Sequence, residues 1–156
     1  MPTRHQGSPD EVEALDAYIK LMRAANSVAG RMNRELVSSR LTESQFAVLE
    51  VLMHHGPLHQ CQIAAKILKS GANLTTVLDN LQKRGLIIRQ PDEQDRRSTI
   101  VELTPQGRRL IGDVFPVHAR AIRDLMSALN SAEKTQLGDL CRKLGLAATA
   151  STNLPE

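Results

Sequence analysis

Apolar and small residues recur at Leu15, Tyr18, Met22, Ala25, Ala29, Met32 and Leu36, in alternating steps of three and four. That spacing predicts one amphipathic helix of about seven turns, ending near Ser38–Arg40. Its start is written in Ser8-Pro9-Asp10-Glu11. Ser8 can cap, Pro9 suits the first helical position, and Glu11 closes a Ser-x-x-Glu box at the positive end of the helix dipole. A stripe this long and narrow usually packs against other helices, often those of a second copy, the alternative being an ordinary intramolecular core helix.

Thr42-Glu43-Ser44-Gln45 is a second capping box, opening a helix with Phe46, Leu49, Leu52 and Met53 inward and a stop at His55-Gly56-Pro57. A short helix from Gln60 to Leu68 follows, with Ile63, Ala64 and Ile67 apolar. Ser70 is placed to cap the next helix, whose Leu74, Val77, Leu78 and Leu81 share one face and whose end falls at Gly85, a residue suited to the left-handed position. Two helices joined by a short turn, the second amphipathic, have the arithmetic of a helix-turn-helix.

After Gly85 the period changes to that of strands. Leu86-Ile87-Ile88-Arg89-Gln90 and Ser98-Thr99-Ile100-Val101-Glu102-Leu103 flank the charged stretch Pro91-Asp92-Glu93-Gln94-Asp95-Arg96-Arg97, which reads as a β-hairpin, a wing. Thr104-Pro105 caps a further helix with Leu110, Ile111, Val114, Phe115, Ile122, Leu125, Met126 and Leu129 apolar. Pro116 should kink it by removing a hydrogen bond to Gly112. Asn130-Ser131-Ala132-Glu133 begins a last helix with Leu137, Leu140 and Leu144, closed by Gly145; residues 147–156 read as a tail. The predicted fold is mainly α with a small β-hairpin wing: a winged helix-turn-helix between long N- and C-terminal helices.

The chain of 156 residues is 41% hydrophobic, 24% charged and 2% aromatic, which predicts a single globular domain with an aliphatic core. No run approaches the roughly 18 apolar residues of a membrane span, and no signal-peptide core opens the chain, so the expected location is the cytoplasm. Charge is segregated. Between Lys66 and Arg109 stand nine basic and five acidic residues, whereas the flanking segments are close to neutral. A local excess of that kind is expected of a segment facing a polyanion, and also occurs on solvated surfaces.

The order of elements, with Gly85-Leu86-Ile87-Ile88-Arg89 after the reading helix, Asp95-Arg96-Arg97 in the wing and Leu103-Thr104-Pro105-Gln106-Gly107 after it, resembles the MarR family of bacterial transcriptional regulators over residues 10–146. The resemblance implies a homodimer on double-stranded DNA. Residues 8–40 and 105–146 would supply dimerisation helices, and residues 42–104 the DNA-binding lobe. Two reading helices about one helical turn apart, roughly 34–36 Å, call for a pseudo-palindromic operator.

On the reading helix, Ala72, Asn73, Thr76 and Asn80 face outward, with Thr75 at the boundary. Small polar groups there suit the major groove: Asn can pair with an adenine edge and Thr methyls can touch thymine. Backbone N–H groups near Ser70 and Gly71 can hold a phosphate. Lys69, Lys83 and Arg89 are further phosphate candidates, as is Arg84, although Lys83 and Arg84 also fit as ordinary helix-end residues. The resemblance assigns Asp95 to posing Arg97 for the minor groove, with Arg96 beside it. Two departures stand out: Thr76 and Gln94 occupy positions where the family often carries arginine. The resemblance also implies a small, mostly apolar effector, phenolic or quinone-like, in a pocket for which Met22, Phe46, Met53, His54 and Phe115 are candidate lining.

Other chemistry is sparse. His54, His55, His59 and Cys61 crowd the Gly56-Pro57 turn, an alternative reading as a metal or redox sensor, but their spacing matches no standard site and no carboxylate is evident nearby. Cys61 and Cys141 read as buried small residues. No phosphate-cradling glycine loop, catalytic carboxylate pair or Gly-x-Ser-x-Gly is present, so neither an enzyme nor a cofactor is expected. Two percent aromatics leave no stacking platform for single-stranded RNA. The remaining competitor is a winged-helix module that docks a protein partner.

Overall fold

The computed structural model describes residues 5–67, 71–92 and 98–151. Its elements run α1 (Pro9–Leu36), a 3-10 turn (Val37–Ser39), α2 (Glu43–His55), β1 (Leu58–His59), α3 (Gln60–Ile67), α4 (Gly71–Lys83), β2 (Ile87–Pro91), β3 (Thr99–Leu103), α5 (Pro105–Met126) and α6 (Ser131–Ser151). Two compact units result, one ending at Ala119 and the other beginning at Arg120.

Helix starts follow local hydrogen bonding. At α1 the Glu11 N–H donates to Ser8 Oγ at 3.3 Å, and the Ser8 N–H donates back to the Glu11 carboxylate at 2.7 Å. That backbone bond, reinforced by the Ser8 hydroxyl, holds the Glu11 pKa below the ordinary carboxylate value. Thr42 and Gln45 exchange the same pair of bonds at α2, at 3.2 and 3.1 Å. Asn130 and Glu133 do so at α6, at 3.0 and 2.8 Å. Leaving α4, Gly85 adopts φ +68°, with its N–H on the Gln82 carbonyl and that of Leu86 on Leu81, the two bonds of a Schellman cap.

The first unit packs around α4. Leu74, Leu78 and Leu81 are fully buried in one cluster with Val48, Leu49 and Leu52 of α2, Ile63 of α3, Ile87 and Val101 of the sheet, and Ile111 of α5. Each leucine so placed contributes about 1.5–3 kcal/mol of burial. Val48 joins this core although it lies off the apolar spacing expected for α2.

The wing carries one strand more than the sequence suggests. β1 pairs antiparallel with β3, Leu58 opposite Val101 and His59 opposite Ile100, giving the order β1-β3-β2. Two residues are too short to show a period-2 pattern. β2 and β3 pair from Ile87 opposite Leu103 to Pro91 opposite Thr99.

Other expectations are corrected. α6 does not close at Gly145 but continues to Ser151. A lone glycine weakens a helix by about 1 kcal/mol without ending it, and Ala147 and Ala148 beyond it favour helix. Pro116 does lie within α5, where the sequence placed it. Cys61 and Cys141 are exposed, not buried. Ile63 and Ile67 turn the inner face of α3 to the core, and Cys61, two residues before Ile63, falls on the far side of that helix. Ser70, expected to cap α4, lies outside the described residues.

Candidate nucleic-acid interface and adjoining cavities

With its leucines turned inward, α4 presents Thr75, Thr76, Asn80, Gln82 and Lys83 outward. Thr75 is not a free hydroxyl: Gln60 at the start of α3 donates to its Oγ1 at 3.0 Å, tying the two helices of the helix-turn-helix together on the outer face. Gly71, Ala72 and Asn73 form the first turn of α4. Lys69 and Ser70, and likewise Asp95, Arg96 and Arg97, lie outside the described residues.

The Asp92 N–H donates to the Ser98 carbonyl at 3.0 Å, which closes the β2–β3 ladder at the base of the wing. His59 Nε2 stands 3.4 Å from the Asp92 carboxylate, which is the carboxylate not evident near these histidines in the sequence. His54 meets the Phe115 ring edge-on, with centroids 5.0 Å apart, and His55 is exposed. Among the described residues, no group of three or more His, Cys, Asp or Glu lies together as a metal site would require.

Two of the arginines are structural ties. Arg89 on β2 donates to Asp79 and Gln82 of α4, joining the wing to the outer face of that helix. Arg84 donates to the Arg40 carbonyl at 2.8 Å and to Gln45 Oε1 at 3.2 Å, fastening the end of α4 to the start of α2. Lys83 is exposed.

A second feature of this unit is a pair of adjoining cavities that share Leu36 and His118. One, of 250 Å³, lies between the end of α1 and α5; the other, of 430 Å³, lies between α1 and α2. Of the five residues expected to line an effector pocket, only Phe46 borders these cavities. Met22 is exposed, Met53 and Phe115 pack against the core, and His54 is taken up by Phe115. His118 borders both cavities, its ring lying on Phe46 with centroids 4.3 Å apart and its Nδ1 buried with no hydrogen-bond partner among the described residues. No periodicity relates residues 46 and 118.

A helix pair with its second member exposed along a polar face, followed by an antiparallel hairpin, defines a winged helix-turn-helix protein. The MarR family model matches residues 41–99. The HTH-type transcriptional regulator MhqR of Bacillus subtilis (strain 168) is 35% identical over 136 residues, which cover 87% of this chain and 94% of that protein. Among solved structures, BpsR of Bordetella bronchiseptica, whose DNA binding is regulated by 6-hydroxynicotinic acid, superimposes with a TM-score of 0.75 at 28% identity, covering 83% of this chain and 98% of that one. MepR of S. aureus in complex with DNA gives 0.75 at 25% identity, covering 84% and 96%. This chain belongs to the MarR family of transcriptional regulators, not to a family of enzymes. None of its described helices is long and apolar enough to cross a membrane.

Proposed function

We propose that the chain acts in the cytoplasm as a homodimeric, effector-responsive repressor of a pseudo-palindromic operator. α4 enters the major groove, with Thr75, Thr76 and Asn80 on base edges and methyls. Residues 70–73 supply the first-turn N–H groups and Asn73, and Asp95-Arg96-Arg97 reach the minor groove. The observation that carries this reading is the polar outer face of α4 beside a wing whose base closes at Asp92 and Ser98. Lys69 and Lys83 contact phosphates; Arg89, engaged by Asp79, orients the wing.

Residues 42–104 form the DNA-binding lobe, and residues 8–40 and 105–146 supply the dimer. Support comes from apolar side chains left in water in each unit: Tyr18 (60% exposed) and Met22 in the first, Ile122, Leu137, Leu140 (57% exposed) and Leu144 in the second. Exposed apolar stripes of this length mark a protein interface. A small, mostly apolar effector, of the phenolic kind the resemblance suggests, occupies the cavities at His118 and alters the spacing of the reading helices.

The test is salt dependence on operator DNA recovered by selection from genomic fragments. Binding through Z phosphates gives a log–log slope of about −0.9Z. A flat slope would point to a protein partner on the same face.

A further inference from the structure

The two cavities meeting at His118 carry charge of one sign. Their apolar walls include Leu36, Val114 and Val117 on one side and Met32 and Phe46 on the other. Around them stand Glu35 and Asp113 in the first cavity, and Glu43 and Glu50 in the second; neither lining contains a lysine or arginine. Among the described residues, none of these four carboxylates forms a salt bridge. Four carboxylates with no lysine or arginine among the lining side chains make the potential in the space a ligand would fill more negative than neutral walls would. The volumes suit a ligand of one or two rings.

We infer that the cavity discriminates by head-group charge: an aromatic ligand bearing a cationic amine binds most tightly, a neutral hydroxyl analogue less so, and an aromatic carboxylate least. The inference rests on the reading of this cavity as the effector site. Its cause is unlike ordinary pocket fit, because the apolar body is common to all three ligands and only the sign of charge near Glu35, Glu43, Glu50 and Asp113 differs. Water reaches the rim, so screening keeps the effect to about tenfold between cation and anion.

The experiment titrates the full chain with 4-chlorobenzylamine, 4-chlorobenzyl alcohol and 4-chlorobenzoate, by calorimetry at low salt. A pH of about 8 leaves a primary alkylamine cationic while free histidine side chains are neutral. The amine should bind about tenfold more tightly than the carboxylate. In the combined variant Glu35→Gln, Glu43→Gln, Glu50→Gln, Asp113→Asn, that ratio should shrink to about twofold with affinity for the alcohol unchanged. Equal or tighter carboxylate binding, or an amine preference that survives in the variant, would overturn the charge inference. A combined filling variant, Val117→Trp with Ala29→Trp, places bulk in both cavities and separates the two ideas. It should abolish binding of the alcohol; unchanged alcohol binding there, or no binding of any probe at millimolar concentration to the wild type, overturns the cavity as the effector site and the charge inference with it.

Discussion

The Thr104 hydroxyl donates to the Gly85 carbonyl at 2.6 Å while its oxygen accepts the Gly107 N–H at 3.0 Å. One side chain therefore caps α5 and holds the glycine that closes α4, nineteen residues earlier in the chain. The backbone repeats the tie: the Thr104 N–H donates to Leu86 at 3.1 Å. Gly107 completes the joint, since a Cβ there would collide with the Leu86 carbonyl. Thr104→Ala should cost about 0.5–2 kcal/mol, as loss of a helix cap does, whereas Thr104→Ser should keep most of that stability. Gly107→Ala should cost at least as much by overpacking, about 1–3 kcal/mol. Urea denaturation of the three variants checks the order; a neutral Gly107→Ala would contradict the close approach.

Arg97→Ala is expected to weaken operator binding by about 1–3 kcal/mol if the arginine enters the minor groove. A mobility-shift titration measures this directly, and unchanged affinity would remove the wing from the interface.

Arg89 and Lys83 should separate in the same assay. Arg89 is committed to Asp79 and Gln82, so Arg89→Gln should leave the salt slope of binding unchanged. Lys83→Gln should reduce the slope by about one. Because Asp79 is 44% exposed, the pair itself adds only about 0–1 kcal/mol to stability, which a double-mutant cycle would read. A fall in slope for the arginine variant would return it to the phosphate contacts.

Glu11 gives a pH prediction. Its pKa is lowered by the bonds from Ser8, so its support for α1 is present above the unfolded carboxylate pKa and disappears as pH falls through the folded value. In Ser8→Ala the backbone bond, the larger cause, remains and only the hydroxyl bond is lost, so the Glu11 titration, followed by NMR, should move up only part of the way toward the ordinary range. No movement would mean that the Ser8 hydroxyl does not bond the Glu11 carboxylate in solution.

Truncation after Asn130 should leave a monomer by light scattering and largely abolish operator binding, since it removes Leu137, Leu140 and Leu144. Persistence of a dimer would move the interface elsewhere.

The parts of this fold legible in the sequence are those decided within a few residues. Capping boxes at Ser8 and Thr42, the left-handed Gly85 and the buried Leu74, Leu78 and Leu81 depend on i, i+3 and i, i+4 chemistry, and each appears as expected. What escaped is decided by side chains far apart in sequence. Arg84 resembles any helix-end arginine until Arg40 and Gln45 are beside it. The His118 ring on Phe46 and the pairing of β1 with β3 arise only once the chain has closed. For the DNA surface, Thr75, Thr76 and Asn80 stand exposed, while the wing arginines lie outside the described residues. The cavity-lining residues were harder to read, because methionine and aromatic positions on apolar faces serve core packing equally well.

The joint of Thr104 and Gly107 with Gly85 and Leu86 has a mechanical corollary. Asp113 lies eight residues beyond Pro105 on α5, about 12 Å at 1.5 Å per residue. The cavity wall and the tail of the reading helix are thus two ends of one short beam, with no slack at the welded end. A ligand that tilts α5 need not be relayed side chain by side chain, and cavity residues can change their chemical preference while the same beam continues to serve the same operator.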